Sequence, residues 1–359
     1  MTRVPLPTRQ ALAGRSASRY DHSAAELQAL LPDEPAYRTR QIWNGLYRRG
    51  AEPDELTELP RTLRARLGRL LPPALAPVTE SVSDGGETVK WLFELQGGAR
   101  IETVLLHHRD HSTVCVSTQA GCAMACGFCA TGQAGFERHL SAGEIVEQVI
   151  RAGRRAAVRV AAGRGAPRRV SNVVFMGMGE PLANYGPTWS AVEKLHGAVG
   201  ISARHLTVST VGVVAGIRRL ATEALPINLA VSLHAANDTL RDELVPINRR
   251  YPLAVLAEAC AEYVAAKGRR LSFEWALIDG VNDRPLDARQ LSAFVQPLRA
   301  HVNLIPLNPT PGYATRGTPA ARVRAFRGQL VALGVNATIR RNRGTDIAAA
   351  CGQLAAHPR

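Results

Sequence analysis

The sequence has no long apolar run, no internal repeat and very little lysine. No stretch approaches the roughly 18 uninterrupted apolar residues of a membrane-spanning helix, and the N-terminal string MTRVPLPTRQALAGRSASRYD has no apolar centre of a signal peptide. These absences argue against membrane and secreted proteins and predict a cytoplasmic location. The absence of a short-period repeat or a low-complexity tract excludes repeat architectures.

The basic residues are almost all arginines. Only Lys90, Lys194 and Lys267 are lysines, and the formal net charge is +14. Such a charge favours a polyanionic partner, because neutralising phosphates releases counterions and provides affinity that does not depend on sequence. Residues 151–169 carry seven arginines and no acidic residue, so they are a candidate phosphate-contacting surface. A solvated helix face followed by a loop, and arginine enrichment through codon usage, are the alternative interpretations.

The chain of 359 residues is long enough for one large domain with a smaller module. Residues 1–80 have apolar side chains at helical spacing, interrupted by prolines, which predicts a helical accessory domain. Residues 81–106 alternate apolar and polar side chains across a Gly-Gly turn, which predicts a β-hairpin linker. In residues 107–343, apolar runs alternate with amphipathic segments, and Ser141 and Glu144 form an S-x-x-E helix-capping motif. This pattern predicts a parallel sheet, open or curled into a partial barrel, with strands at 113–118, 172–178, 206–211, 227–233, 271–278 and 302–307.

Three of the six cysteines form the motif C-x3-C-x2-C within GCAMACGFCATGQAGFERH. A structural zinc site normally has four ligands, commonly from two separated Cys or His pairs, and here a fourth nearby ligand is missing. Cys122, Cys126 and Cys129 are instead suited to three irons of a 4Fe-4S cluster, whose fourth iron then stays open to a small chelating molecule. Zinc bound by these cysteines with His111 or His139 is the alternative metal site.

Polar residues recur where the predicted parallel strands end. Because the carboxyl ends of parallel strands lie at one edge of a sheet, we expect these residues to converge on one site with the cysteine motif. Any one of them alone is typical turn chemistry, and the string MGMGEPL lacks the third glycine of a dinucleotide-binding motif. The residues at these strand ends are Gly179, Glu180, Ser209, Ser232, His234 and Asn308.

The cysteine motif, with Phe128 before its last cysteine, resembles the signature of radical S-adenosylmethionine (SAM) enzymes. The strings NVVFMGMGEPLANY, TVSTVG, AVSLHAANDTLRDELVPIN, NLIPLNPTPG and RRNRGTDIAAACGQLA resemble the RNA adenine methyltransferases of the RlmN/Cfr type, and the match spans residues 85–355. The string DIAAACGQLA is the most specific, since a generic radical SAM protein has no need of a cysteine there. The resemblance implies an α/β fold, a partial (β/α)6 radical-SAM barrel with a small N-terminal helical accessory domain.

The resemblance also implies two cofactors, a 4Fe-4S cluster and SAM. The cluster would be bound by Cys122, Cys126 and Cys129. SAM would contact Gly179, Glu180, Ser209, Ser232, Leu233, His234 and Asn308.

Three further residues receive roles in the reaction from the resemblance. Cys351, in a C-terminal loop of residues 344–359, would carry the methyl group, and Cys115 would be its disulfide partner. Glu102 would accept a proton. Cys260, inside an apolar helical pattern, is expected to be a buried core residue.

The implied activity is methylation of carbon 2 of an adenosine in 23S rRNA at the peptidyl-transferase centre, and of the adenosine 3′ of the tRNA anticodon. RNA contacts are expected from the N-terminal domain, residues 151–169, and Arg340, Arg341 and Arg343. A donor such as flavodoxin or ferredoxin would supply electrons to a monomeric enzyme. The alternatives are carbon-8 methylation, a radical SAM activase that forms glycyl radicals, and a noncatalytic RNA-binding protein with a structural metal.

Overall fold

The centre of the fold is a sheet of ten strands that joins parallel and antiparallel pairs. The computed structural model describes residues 17–161, 169–269, 271–310 and 312–356. Its strands are β1 (Leu75–Ser83), β2 (Thr88–Leu95), β3 (Arg100–His107), β4 (Ser112–Cys115), β5 (Gln119–Gly121), β6 (Phe136–His139), β7 (Asn172–Phe175), β8 (Leu206–Thr210), β9 (Asn228–Ser232), β10 (Leu271–Leu277), β11 (His301–Pro306) and β12 (Asn336–Ile339). Its α-helices are α1 (Ala24–Ala29), α2 (Ala36–Asn44), α3 (Arg61–Leu70), α4 (Ala130–Gln133), α5 (Ala142–Ala161), α6 (Tyr185–Lys194), α7 (Val214–Thr222), α8 (Asp238–Leu244), α9 (Leu253–Lys267), α10 (Pro285–Val295) and α11 (Ala320–Ala332).

The larger sheet has the strand order β1-β2-β3-β4-β7-β8-β9-β10-β11-β12, while β5 and β6 form a separate two-stranded ribbon. All pairs from β4 to β12 in this sheet are parallel. Six of these strands lie where the sequence predicts them, and helices connect them, so the predicted α/β fold is confirmed. The seventh parallel strand, β12, is not predicted, because three of its four residues are exposed and no apolar run marks it.

The predicted hairpin is formed by β2 and β3, which pair in an antiparallel manner. Their turn contains Gly97 and Gly98, whose φ angles of 93° and 86° are rarely adopted by residues with a Cβ atom. Because β3 also pairs with β4, the hairpin is part of the same sheet as the parallel strands. Strand β1 adds to the hairpin and begins at Leu75, within the segment 1–80 that the pattern predicts to be helical. Most of its residues are exposed, so no alternating pattern marks it as a strand.

Helices α1, α2 and α3 share one continuous core with the sheet and its helices. Leu27 and Ile42 are buried in the same cluster as Val149 of α5. At the end of α6, the Lys194 ammonium group donates to the carbonyl oxygens of residues 20–22. These contacts attach the N-terminal helices to α5 and α6.

Helix α5 begins at the predicted capping motif. The Glu144 N–H donates to Ser141 Oγ at 3.1 Å, and the Ser141 N–H donates to the Glu144 carboxylate at 2.8 Å. The start of α5 is thereby fixed.

Among the described residues, no helix combines the length and the apolar character needed to cross a membrane.

The arginine-rich segment 151–169 is only partly described, because residues 162–168 lie outside the described ranges. Three of its arginines, on α5, bind carboxylates of this chain. Their charge is therefore largely neutralised within the protein, which weakens the prediction of a phosphate-contacting surface here. The ion pairs are Arg151–Glu147, Arg154–Glu55 and Arg155–Glu80.

Candidate active site

A cleft of about 1080 Å³, measured with its open mouth, lies at the carboxyl ends of the parallel strands. Ser209 is the penultimate residue of β8, Ser232 ends β9, and Asn308 follows β11. They line the same cleft because these strands run parallel within one sheet. The structure brings together in this cleft the predicted residues Cys122, Cys126, Cys129, Gly179, Glu180, Ser209, Ser232, His234, Asn308 and Cys351.

The cysteine loop, residues 122–129, connects β5 to α4 and presents its thiols to the cleft. It begins with a bond from the Cys122 N–H to the Gly135 carbonyl (2.7 Å), and near its end the Cys129 N–H donates to the Cys126 carbonyl (3.1 Å). Gly121 precedes the loop with a φ of 70°, and a Cβ there would lie 2.0 Å from the Gly135 oxygen. The turn that leads into the loop therefore requires glycine.

The three thiols of the loop fit the ligand set of an iron–sulfur cluster. Burial, with smaller effects of the Glu180 charge and of Cys129, raises the pKa of Cys122 to about 12. Burial and, to a smaller extent, the two neighbouring cysteines raise the pKa of Cys126 well above its ordinary value. Backbone N–H groups oppose this effect at two of the sulfurs, from Met124 at Cys122 and from Gly132 at Cys129. Such donors stabilise thiolates and are a common means of tuning Fe–S sites.

The zinc alternative is not supported by the side chains around the loop. In the described ranges, no group of three or more His, Cys, Asp or Glu side chains is placed to hold a single metal ion. His111 Nδ1 is bonded to Asp110 at 2.7 Å and stacks on His108, and His139 Nδ1 is bonded to the Gln119 amide. Neither histidine completes a four-ligand site with the cysteines.

Glu180 contributes a buried carboxylate to the lining of the cleft. Its carboxylate accepts the Leu182 N–H (2.9 Å) and the Val211 N–H (2.8 Å). Burial raises the pKa of Glu180 to about 7, and these two bonds act in the opposite direction. Gly179 has a φ of 96°, and a Cβ there would meet the Gln119 backbone nitrogen at 2.8 Å. This glycine lets the chain pass close to β5, with the Glu180 carboxylate at the cleft.

His234 lines the cleft as a neutral ring. Its Nδ1 accepts the Ala276 N–H at 2.9 Å, which leaves the proton on Nε2. Burial, with a smaller effect of the Arg241 charge, lowers the pKa of His234 to about 3. The ring also packs edge-on against Phe128, with 4.8 Å between centroids. His234 is therefore part of the packing between the cysteine loop and the sheet as well as of the cleft wall.

Leu233 is the exception among the predicted SAM contacts. Its side chain is fully buried in the hydrophobic core, and its N–H and carbonyl bind Glu274 and Arg241. Ser232 and His234 line the cleft, whereas Leu233 does not. Because β9 ends at Ser232 and His234 has a φ of 59°, the chain turns at this point and strand alternation does not continue. The contact of Leu233 with SAM stays a prediction.

Cys351 lines the cleft from a segment that we call the C-terminal segment, residues 344–356. The Asn308 amide donates to the Cys351 carbonyl at 3.1 Å. The Ala130 N–H donates to the Gly352 carbonyl at 2.8 Å, and the Thr131 hydroxyl donates to the Leu354 carbonyl at 2.6 Å. Helix α4, directly after the cysteine loop, thus binds the segment that carries Cys351. The pKa of the Cys129 thiol is raised by burial and, to a smaller extent, by Cys351.

Cys115 is buried at the end of β4 and does not line the cleft. Burial raises its pKa to about 12, and the Cys351 charge is the next cause. The two thiols are therefore electrostatic neighbours, and both are free. Cys260, in α9, is fully buried in the core as predicted.

Glu102 lies on β3 outside the cleft, with both carboxylate oxygens occupied. Lys90 Nζ is 2.6 Å from Oε1, while Oε2 accepts the Ala355 N–H (2.8 Å) and the Ala356 N–H (3.3 Å). To accept a proton from a substrate, this carboxylate would first have to release the C-terminal segment. Lys90 itself is a residue that sequence reasoning missed, although a charge within the apolar run TVKWLFEL is an unusual signal.

Arg340 and Arg343 do not extend into solvent as expected for RNA-backbone contacts. Arg340 lines the cleft with Glu274 and Cys351, and the Cys351 charge is the main cause that raises its pKa. Arg343 binds the His107 carbonyl and the Glu87 carboxylate. Of the three predicted arginines, Arg341 remains exposed.

Comparison with known proteins places these features in a family. The sequence matches the Radical SAM superfamily over residues 116–291. A probable dual-specificity RNA methyltransferase RlmN of Chloroflexus aurantiacus is 50% identical over 347 residues, which span 94% of this chain and 92% of the relative. A protein of the same name from Parafrankia sp. is 52% identical over 335 residues, spanning 90% and 87%.

Among solved structures, a radical SAM methyltransferase from Sphaerobacter thermophilus is 49% identical, with a TM-score of 0.89. The match covers 95% of this chain and 99% of that chain. This similarity confirms the predicted radical-SAM architecture. Since relatives about half identical in sequence extend over nearly the whole chain, the protein belongs to the RlmN family of radical SAM RNA methyltransferases.

Proposed function

We propose that the protein methylates carbon 2 of an adenosine in 23S rRNA, at the peptidyl-transferase centre, and of the adenosine 3′ of the tRNA anticodon. The name of the relatives, dual-specificity RNA methyltransferase, supports RNA as the substrate class. The observation that carries the proposal is the position of Cys351, whose side chain lines the same cleft as Cys122, Cys126 and Cys129. A thiol placed there is suited to carry a methyl group.

The cleft would hold a 4Fe-4S cluster at the cysteine loop and SAM beside it. Glu180 would accept the SAM ammonium group, and Ser209, Ser232, His234 and Asn308 would bind its other polar groups. When bound, these cofactors supply a transferable methyl group and a one-electron route to hydrogen abstraction. A small electron-transfer protein such as flavodoxin or ferredoxin would provide the electrons.

A protein thiol as methyl carrier has a chemical reason. Carbon 2 of adenine is electron-poor and offers no nucleophile for direct methyl displacement, so the new carbon–carbon bond requires an activated methyl group held by the protein. The Cys351 thiolate would receive the methyl group, and the substrate base would become covalently attached through it. The Cys115 thiolate would then attack the Cys351 sulfur, so that the S–S bond forms and the C–S bond breaks. The C–S electron pair would pass to the released carbon, which would take a proton from solvent to become the methyl group. A cellular thiol reductant would return the disulfide to two thiols. Glu102 would accept the ring proton after it disengages from the C-terminal segment.

The adenine must leave its stack to enter the cleft, because a stacked base cannot present carbon 2 to Cys351. The N-terminal helices and the exposed Arg341 would contact the RNA, consistent with the net charge of +14. We expect the enzyme to act as a monomer.

Nucleoside mass spectrometry tests the proposal directly. We expect 2-methyladenosine in 23S rRNA and tRNA after anaerobic treatment with the reconstituted enzyme, and its loss from both RNAs in a strain without the protein. Formation of 8-methyladenosine alone would reject the carbon-2 assignment. A Cys351→Ala variant is expected to form no product, whereas Cys260→Ala, which changes a core thiol, should remain active. Full methylation by Cys351→Ala would reject the methyl-carrier role.

A further inference from the structure

Lys90 and Glu102 form a buried ion pair on adjacent antiparallel strands. Glu102 lies opposite Leu92 in the β2–β3 register, and Lys90 lies opposite Val104. The two charged side chains are therefore diagonal neighbours on one face of the sheet. Lys90 is 8% exposed and Glu102 is 2% exposed, with 2.6 Å between Nζ and Oε1.

The hydrogen-bonding groups that remain on this pair bind the C-terminal segment on both sides of Cys351. Before the cysteine, Lys90 Nζ donates to the Ala348 carbonyl at 3.4 Å. After it, Glu102 Oε2 accepts the Ala355 and Ala356 N–H groups at 2.8 and 3.3 Å. One ion pair thus spans the part of the chain that presents the thiol.

Stability of the sheet alone does not explain the pair. Two charges removed from water cost more than an ion pair usually returns, and apolar side chains of similar size often stabilise a core equally well. The choice of lysine is also unusual in a chain where only three of 44 basic residues are lysines. A lysine ammonium is a compact charge with three donors, which suits one carboxylate oxygen and one carbonyl.

We propose that Lys90 and Glu102 form a latch that seats the C-terminal segment and so places the Cys351 thiol in the cleft. Lys90 is then a positioning residue for methyl transfer, acting through Glu102 and the backbone at Ala348. The functional part of this inference depends on the proposed role of Cys351. The latch itself is a property of the protein without RNA or SAM.

The test compares Lys90→Met with wild type in the full-length, cluster-reconstituted protein. The first readout is hydrogen exchange of the Ala355 and Ala356 amides, and the second is the rate at which iodoacetamide alkylates Cys351, measured on its peptide. We expect both rates to rise by about tenfold or more. The variant loses the bond to the Ala348 carbonyl, and it leaves the buried Glu102 carboxylate without its ion-pair partner, which weakens its hold on the two amides. Lys90→Arg, which keeps the charge, should recover much of the protection.

Lys194→Met is the matched control, because Lys194 also donates to backbone carbonyls from a partly buried position, at residues 20–22. It should leave exchange at Ala355 and Ala356 unchanged. Glu102→Gln is the second variant if Lys90→Met does not fold, since it keeps the shape and removes the charge. Wild-type exchange and alkylation in a folded Lys90→Met or Glu102→Gln protein would overturn the latch, as would an equal rise in Lys194→Met.

Kinetics separate positioning from a general structural role. The latch predicts slower methylation of Cys351 and a lower kcat for RNA methylation, with an unchanged KM for RNA. A rise in KM with unchanged kcat would overturn the positioning role. If exchange increases as expected but Cys351→Ala still methylates RNA, the latch stands and the proposed function fails.

Discussion

The two walls of the cleft are held in different ways. The cysteine loop is fixed by backbone bonds to residues close in sequence, such as Cys122 to Gly135 and Cys129 to Cys126. The C-terminal segment is fixed by side chains from remote elements, including Glu102, which is 253 residues from Ala355. The loop is therefore a local structure that forms with its neighbours, whereas the segment depends on a few long-range contacts. Changes to the cysteine loop should remove the cofactor site, whereas changes to the C-terminal segment should leave that site intact.

The largest difference is expected between Cys126→Ala and Cys351→Ala. Both should abolish RNA methylation, because one lacks a cluster ligand and the other lacks the methyl carrier. Only Cys126→Ala should lose iron, sulfide and the visible absorbance of the cluster after anaerobic reconstitution. Loss of the cluster in Cys351→Ala would show that the two walls are not separable.

A smaller change to the loop is Gly121→Ala. Its φ of 70° and the 2.0 Å approach of a Cβ to the Gly135 oxygen require the turn to move. Backbone strain of about 1–3 kcal/mol adds to this clash, so we expect cluster content or methylation to fall by about tenfold or more, since about 1.4 kcal/mol is a factor of ten. Gly186→Ala is the control, because a Cβ there meets nothing within 4 Å. Equal cluster content in Gly121→Ala and wild type would contradict the requirement for glycine.

Asn308→Ala tests the contacts that hold the C-terminal segment. It removes the bond to the Cys351 carbonyl and the acceptor for the Asn342 amide. We expect normal cluster content and methylation of Cys351 about tenfold slower, because the variant loses one or two buried hydrogen bonds and a proposed contact with SAM. The control is Asn228→Ala, which removes a bond to the Arg204 carbonyl outside the cleft. A lower cluster content without a change in the rate of Cys351 methylation would contradict this prediction, because Asn308 would then support the cysteine loop and not the C-terminal segment.

The smallest effect is expected at the junction between the N-terminal helices and the sheet. Arg154→Ala breaks an exposed ion pair with Glu55, which should lower the free energy of unfolding by about 1 kcal/mol or less. Chemical denaturation measures this change. Cluster content and methylation of Cys351 should stay at wild-type values, and a loss of either would show that this junction controls the cleft.

The features that could be predicted from sequence are those set by local patterns. The six apolar strand runs, the β2–β3 hairpin and the Ser141–Glu144 cap each depend on residues near one another in the chain. The convergence of strand-end residues on one cleft follows from parallel pairing, which the strand–helix alternation predicts. The sequence does not predict the edge strands β1 and β12, because most of their residues are exposed and show no periodic pattern of apolar side chains.

The contacts that were not predictable are long-range. Nothing in the sequence near Lys90 indicates that its partner is Glu102 or that both bind the C-terminal segment. Arginine is a residue type usually found at the protein surface. The pairing of β12 with β11 brings Arg340 into the cleft with Cys351. Sequence patterns group Leu233 with Ser232 and His234, but the turn that begins after β9, with a φ of 59° at His234, leaves the Leu233 side chain in the core.

The central claim is that Cys351 carries the methyl group from its place beside the cysteine loop. Peptide mass spectrometry of the reconstituted enzyme, incubated anaerobically with SAM, reductant and no RNA, tests it most directly. The account predicts one methyl group on the peptide that contains Cys351 and none on the peptide that contains Cys260. RNA methylation by an enzyme whose Cys351 never carries a methyl group would contradict the account.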